Sequence, residues 1–227
     1  MHYKQIAKPT YVPPQVLQRG VFVAANPFSV RAMDVLGAII LIVLFAPVMV
    51  VITLSIFIAN PGPILFRQQR IGRNGQTFNC LKFRTMATDA EARLEHLLAS
   101  DPEARAQWRQ DHKLRDDPRI VGIGSFLRKS SLDELPQLFN VLAGEMSLVG
   151  PRPIVAAEID KYGRYFEHYC RVRPGMTGLW QISGRNNVSY RKRVAFDVVY
   201  VKRGQIGHNI QILLLTLPRV LSAKGSY

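Results

Sequence analysis

Hydrophobic positions along the chain fall into one unbroken block followed by a mixed region. From Val35 to Ala59, 25 consecutive residues carry no charge, and about 20 apolar residues suffice to cross a bilayer as a helix. A buried helix of a soluble protein would carry a polar stripe, which this block lacks. A secretory signal would start earlier, have an apolar region of about 7–15 residues and end in a small-x-small cleavage site. Ile56-Phe57-Ile58-Ala59-Asn60-Pro61 supplies no such site. The pattern therefore predicts a retained membrane helix.

Pro47 sits in the middle of the block with 12 residues on either side. Proline removes a helical hydrogen bond and bends the axis. Each arm would be about 18 Å long at about 1.5 Å per residue, enough to reach the bilayer middle and return. Basic residues flank both ends, Lys4, Lys8, Arg19 and Arg31 before and Arg67, Arg70, Arg73 and Lys82 after. A full span would put one group on the disfavoured face. The expectation is a re-entrant helical hairpin over residues 31–61, with a proline-kinked single span as the alternative.

Residues 1–30, with four prolines and little periodicity, read as an irregular arm. Two β-prone runs surround Asn74-Gly75, a dipeptide suited to the positive φ angles of a tight hairpin. Met86–Ser100 and Pro102–Leu114 read as solvated amphipathic helices, with Asp89 and Asp101 as caps. Arg128–Leu142 reads as a turn feeding a helix, and two Pro/Gly-punctuated irregular stretches follow. Ile206–Leu221 is too short to cross a membrane and contains Pro218, so it reads as a helix on the bilayer or against the anchor. The predicted class is α+β, mostly helical: a membrane hairpin followed by one membrane-associated domain over residues 62–227 with a small β-hairpin.

Composition narrows the chemistry. The 227 residues include 30 Lys and Arg against 16 Asp and Glu, a net charge of +14, which points to a polyanionic partner: nucleic acid, anionic lipid or a phosphorylated substrate. Cys80 and Cys170 form no C-x-x-C, and none of the five histidines has a metal-binding spacing. Reduced thiols and no cysteine or histidine metal site are expected.

The densest candidate for chemistry is LRKSSLDELPQLFNVL at 127–142, where Asp133 and Glu134 follow Arg128 and Lys129. Ser131-x-x-Glu134 has the spacing of a capping box, a purely structural role that spacing alone favours. Pro136 complicates it, because proline belongs in a first helical turn. An aspartate with a reference pKa of about 3.9 is ionised at neutral pH and can attack phosphorus without a general base. Such attack meets like charge, so phosphoryl transfer needs arginine, lysine or Mg²⁺ around the phosphates, and a second carboxylate can hold the metal. Lys82 and Arg84 alternate with Phe83 and would share a strand face. Arg152 is clamped between Pro151 and Pro153, and Arg173 and Arg185 also stand beside rigid or turn-forming residues.

LKFRTM at 81–86, LRKSSLDELPQLFNVL at 127–142, SLVGPRP at 147–153 and RPGMTGLWQISGR at 173–185, in that order after one apolar segment, resemble the bacterial sugar transferases, the monotopic polyprenyl-phosphate phosphoglycosyl transferases. The likeness runs from about Arg31 to the C-terminus and is greatest to the short exopolysaccharide-type undecaprenyl-phosphate galactose phosphotransferases. One departure is Ala46-Pro47, where the family commonly has Ser-Pro. The resemblance implies that Asp133 attacks the sugar-bearing phosphate of a UDP-hexose, expels UMP and holds the sugar phosphate until undecaprenyl phosphate collects it. It implies Glu134 as the Mg²⁺ ligand, Arg128 as a phosphate-binding residue and Arg152 near the nucleotide, with Lys82 and Arg84 at the site. Arg173 and Arg185 are further substrate-binding candidates. The expected setting is the cytoplasmic face of a bacterial inner membrane, among its lipids and alongside downstream glycosyltransferases. Galactose is the first reading of the hexose and glucose the second. Two competing readings are a basic nucleic-acid-binding module, for which no reading helix or RNP motif is present, and a non-catalytic membrane scaffold.

Overall fold

The computed structural model describes residues 28–111, 114, 116–184, 188–203 and 206–221. The N-terminal arm up to residue 27 and Arg185 lie outside the described residues. The described residues are mostly helical, with two two-stranded sheets and one long apolar helix near the N-terminus among them. That helix, α1 (Phe28–Ala59), takes in Pro47, and only 11% of its most apolar stretch is buried. Ile40, Val43, Leu44, Val51, Phe57 and Ile58 are all exposed, a composition and exposure suited to lipid rather than to a protein core.

The expected hairpin forms: β1 (Leu65–Ile71) pairs with β2 (Thr77–Phe83) across a turn in which Asn74 and Gly75 have φ of 58° and 72°. The amphipathic stretches become α2 (Ala90–Ser100) and α3 (Pro102–Asp111). Asp101 caps α3 by accepting from Glu103 N and Ala104 N at 2.8 and 3.1 Å. Asp89 instead bonds Arg93 Nε at 2.9 Å and makes no cap. The later elements are α4 (Gly124–Ser130), α5 (Gln137–Ala143), β3 (Ser147–Val149), α6 (Ile159–Tyr162), α7 (Phe166–Cys170), β4 (Gly175–Thr177), α8 (Leu179–Ile182), α9 (Tyr190–Arg203) and α10 (Ile206–Leu221).

Two compact units divide the chain. Of the described residues, the first takes those up to Leu44, Arg67–Leu81 and those from Gln137 onward. Its core joins Ile71, Ile154, Tyr162, Phe166, Tyr169, Cys170 and Val194. Tyr169 Oη donates to Ile71 O at 2.7 Å and accepts from Ile154 N at 3.3 Å, which satisfies both ends of a fully buried hydroxyl. Strands β3 and β4 pair in parallel, Ser147 with Gly175 and Val149 with Thr177. Sequence reading took both for irregular chain, because three residues are too few to show alternation. They approach closely enough that a Cβ on Gly175 would lie 2.0 Å from Gly150 N. The start of α1 is fastened within this unit: Arg31 donates to Val141 O and Leu142 O at 2.7 and 2.9 Å, and the buried Asp34 accepts from Ser147 Oγ and Leu148 N, both at 2.9 Å. In α10, Ile212 and Asn209 face inward and Ile206, Ile210 and Leu214 outward, while Thr216 and Thr177 share a 2.8 Å hydrogen bond. A helix on this domain with an apolar outer stripe fits the expected interfacial element.

The second unit holds Phe45–Phe66 and Lys82–Pro136. Here Ile52 and Ile56, from the second half of α1, pack with Phe83 and with Leu127, which is fully buried on α4. Ile64, Ile123, Leu132 and Leu135 line this cluster. Gly124 lets α4 start against the neighbouring chain, since a Cβ there would lie 2.2 Å from Thr85 O. The end of α4 and the turn that follows it carry the acidic pair.

Candidate active site

Helix α4 ends at Ser130, and Ser131 takes a left-handed conformation, φ 60° and ψ 15°, as its C-cap. A single 3₁₀ turn, Leu132–Glu134, follows. The capping-box reading of Ser131 and Glu134 is therefore corrected: Ser131 makes no side-chain cap, and its carbonyl accepts the Glu134 N–H at 3.2 Å as an ordinary turn. Pro136 stands just before α5, at Gln137, so the helix proper starts too late for either carboxylate to cap it. Neither side chain is committed to capping α5.

Leu132 and Leu135 pack on the apolar cluster under α1, which orients the residues between them toward the strand end. Lys82 meets them there. Its Nζ lies 2.6 Å from Glu134 Oε1 and 3.8 Å from Asp133 Oδ2. Phe83, the next residue, is buried in the same cluster, so strand alternation aims Lys82 at the acids. The side chain of Asp133 is 13% exposed and that of Glu134 36%. Burial pushes the Asp133 carboxyl up to about 6; Lys82 and Arg128 pull it down and Glu134 pushes it up. It is thus less acidic than the reference aspartate assumed from sequence, yet still largely ionised at pH 7.

The other sequence candidates are placed differently. Arg84, expected beside Lys82, turns its Nη2 to the carbonyl of Asn60 at the end of α1. Arg128 lies in the last turn of α4 and acts on Asp133 electrostatically. In the first unit, Arg152 is exposed between the buried Pro151 and Pro153, and its guanidinium lies 6.0 Å from the Trp180 ring centroid. Arg193 lies 4.6 Å from the same ring. Arg173 donates its Nε to Gly144 O at 2.6 Å, and burial with nearby Arg73 and Arg31 lowers its pKa.

Sequence reading missed Arg70, mostly buried, which donates to Pro153 O at 3.0 Å and lies 3.8 Å from Glu158. Burial and the neighbouring Arg152 lower its pKa, so two arginines converge on the Pro-Arg-Pro segment. Its place within an alternating strand was the available signal. Asn140 was also missed: it accepts from Leu81 N at 3.0 Å and donates to Asn79 O at 2.8 Å, holding β2 from the buried side.

Among the described residues no three His, Cys, Asp or Glu gather as a ready metal cage. Mg²⁺ is usually held by one or two carboxylates plus substrate phosphates. The half-exposed Glu134 beside Asp133 fits that sparse donor set.

Comparison with known proteins places the chain. It belongs to the bacterial sugar transferase family, whose pattern it matches over residues 25–223. It is 48% identical to the exopolysaccharide production protein ExoY of Sinorhizobium fredii, over 88% of each chain. It is 46% identical to the undecaprenyl-phosphate galactose phosphotransferase of Salmonella typhimurium, over 93% of this chain and 44% of that protein. The UDP-glucose:undecaprenyl-phosphate glucose-1-phosphate transferase of Escherichia coli is 36% identical over 89% of this chain and 42% of its own. The chain thus spans under half the length of several relatives it matches.

Proposed function

We propose that the protein is an undecaprenyl-phosphate hexose-1-phosphate transferase acting in exopolysaccharide synthesis. The observation that carries this reading is the largely buried Asp133, 3.8 Å from the Lys82 cation, on a turn packed against the second half of the membrane helix. In the first step an Asp133 carboxylate oxygen bonds to the sugar-bearing phosphorus of a UDP-hexose, the bond from that phosphorus to the UMP oxygen breaks, and UMP leaves. In the second, an oxygen of undecaprenyl phosphate bonds to the same phosphorus, the Asp133–phosphorus bond breaks, and undecaprenyl-diphosphate-hexose departs with the carboxylate restored.

Each residue has a physical task. Lys82 and Arg128 offset the repulsion between carboxylate and phosphate and hold Asp133 ionised. Glu134 would hold Mg²⁺, which would supply charge neutralisation on the diphosphate. Arg152, with Arg70 and Trp180 nearby in the fold, offers cationic and aromatic surface suited to a nucleotide. Relatives are named for galactose and for glucose, and pocket shape rather than any motif selects the epimer. Galactose is proposed first.

A re-entrant anchor is the membrane arrangement this reading favours. The start of α1 is bonded to Val141, Leu142 and Ser147, and its end packs on Phe83 and Leu127. Among the described residues between 62 and 203, no helix is long and apolar enough to cross a bilayer. Basic residues on both flanks of the apolar block and the helix-bending Pro47 within α1 support a re-entrant anchor over a span. A soluble nucleotide-sugar donor supports the cytoplasmic face for the catalytic residues.

Membranes bearing the protein, given labelled UDP-galactose or UDP-glucose, Mg²⁺ and undecaprenyl phosphate, should release UMP. Release of UDP instead would mean ordinary glycosyl transfer and would reject the role of Asp133.

A further inference from the structure

Arg84 lies two residues beyond Lys82 but serves the other end of this unit. Its Nη2 donates to the carbonyl of Asn60, just past the C-terminus of α1, where a cation also suits the helix dipole. The remainder of the guanidinium is unsatisfied: Nε and Nη1 are buried and make no hydrogen bond, and neither does the buried Asn60 Nδ2. All three orphans are donors. Burying even one unpaired donor costs about 1–3 kcal/mol, more when it is charged, so three on two residues that share one hydrogen bond and one cavity leave an acceptor unaccounted for.

The surroundings indicate its size and charge. Arg84 and Asn60 border a cavity also lined by Ile56, Ala59, Val121 and Ile123, with free volume of ≈ 10 Å³, about that of one water-sized atom. Gly62, with φ of 134°, closes the turn over the guanidinium; a Cβ there would lie 2.6 Å from Nη1. Two of the three donors belong to a guanidinium, whose positive charge favours an anionic oxygen over a neutral one. The position sets the source. Asn60 directly follows the 25-residue uncharged block, at the level where lipid headgroups meet water.

The geometry points to a lipid-phosphate site at the end of the membrane helix, in which Arg84 and Asn60 hold one oxygen of a lipid-borne phosphate. It rests on the membrane seating of α1 but not on the chemistry at Asp133. The phosphate is that of the polyprenyl acceptor or of a bilayer phospholipid, and the two share the same oxygen chemistry.

The test uses the full chain in maltoside micelles, which contain no phosphate, and follows thermal unfolding with undecaprenyl phosphate, phosphatidylglycerol or inorganic phosphate. A bound lipid at a hundredfold excess over its Kd should raise the Tm by roughly 5–10 °C. Response to both lipids assigns the site to bilayer phosphate in general; response to undecaprenyl phosphate alone assigns it to the acceptor. Arg84→Gln should lose the response. Asn60→Asp places a carboxylate beside the guanidinium, so it should melt at or above the parent without lipid and gain nothing when lipid is added. This variant decides the matter if Arg84→Gln does not fold. No response in the parent, an equal response to inorganic phosphate, or an undiminished response in both variants would overturn the proposal. UMP release by the parent is measured separately, so the two readings fail independently.

Discussion

Removing Lys82 should shift the pH dependence of the first chemical step in a direction opposite to removing Glu134. In the proposed reaction Asp133 attacks as the carboxylate, so UMP release should rise with pH through an acid limb centred at about 6, the value to which burial pushes this group. Lys82 Nζ lies 3.8 Å from Asp133 Oδ2, with the two side chains 21% and 13% exposed. Coulomb's law at that distance gives about 1 kcal/mol in water and about 4 kcal/mol at an effective dielectric of 20, or about 1–3 pH units. Because Lys82 is closer to Glu134, at 2.6 Å, the lower end applies. Lys82→Met should move the limb up by about 1 unit and cut the ionised fraction about fivefold at pH 6. Glu134→Gln removes a charge that raises the Asp133 pKa, so its residual activity should show a limb at lower pH. The assay is single-turnover UMP release between pH 5 and 8.5 at saturating UDP-hexose and fixed Mg²⁺. A parental limb near pH 4, or limbs that move together in the two variants, would refute this electrostatic account.

Stability offers independent checks. The raised pKa means that folded Asp133 binds a proton more tightly than unfolded aspartate. Its contribution is present below about pH 4 and lost as pH climbs through about 6. Asp133→Asn should therefore abolish turnover while raising the Tm at pH 7, and an unchanged or lower Tm would show that the carboxylate is not strained by burial. Leu127→Ala, at a fully buried position between α4 and α1, should cost about 2–5 kcal/mol in chemical denaturation; a loss under 1 kcal/mol would mean that the cluster is loosely packed. Tyr162→Phe leaves buried Asp197 without the 2.6 Å hydrogen bond it accepts from Tyr162 Oη and should cost about 1–3 kcal/mol. Burial raises the Asp197 carboxyl to about 7, so that loss should shrink below pH 6, where the acid is protonated. Single cysteines placed before and after α1 should label from the same face of sealed vesicles, and opposite-face labelling would reject the re-entrant anchor.

Elements with strong local signals were readable from residues alone: the uncharged block of α1, the Asn74-Gly75 turn and the amphipathic α2 and α3. The short parallel β3–β4 pair was not, since its stability comes from a long-range partner and from the close approach at Gly150 and Gly175 rather than from pattern. The acidic pair was legible as a concentration of charge, but spacing favoured a capping box. What overrules the cap is Ser131 in the left-handed region and Lys82, 52 positions away in sequence, drawing Glu134 to itself. Arg84 illustrates the reverse case. Alternation with Lys82 suggested a common duty, yet the chain leaves β2 at Phe83, and the next arginine goes to the end of the membrane helix. Sequence periodicity describes a strand only as far as the strand continues.

The proposed covalent step is open to direct observation without the acceptor. Purified protein incubated with UDP-galactose or UDP-glucose and Mg²⁺, then quenched and weighed intact, should carry one hexose phosphate per chain, mapped by peptide sequencing to Asp133, with an equal amount of UMP in solution. Undecaprenyl phosphate should discharge it. An unmodified chain that nevertheless turns over when acceptor is present would contradict the account, because the phosphosugar would then pass directly from nucleotide to lipid.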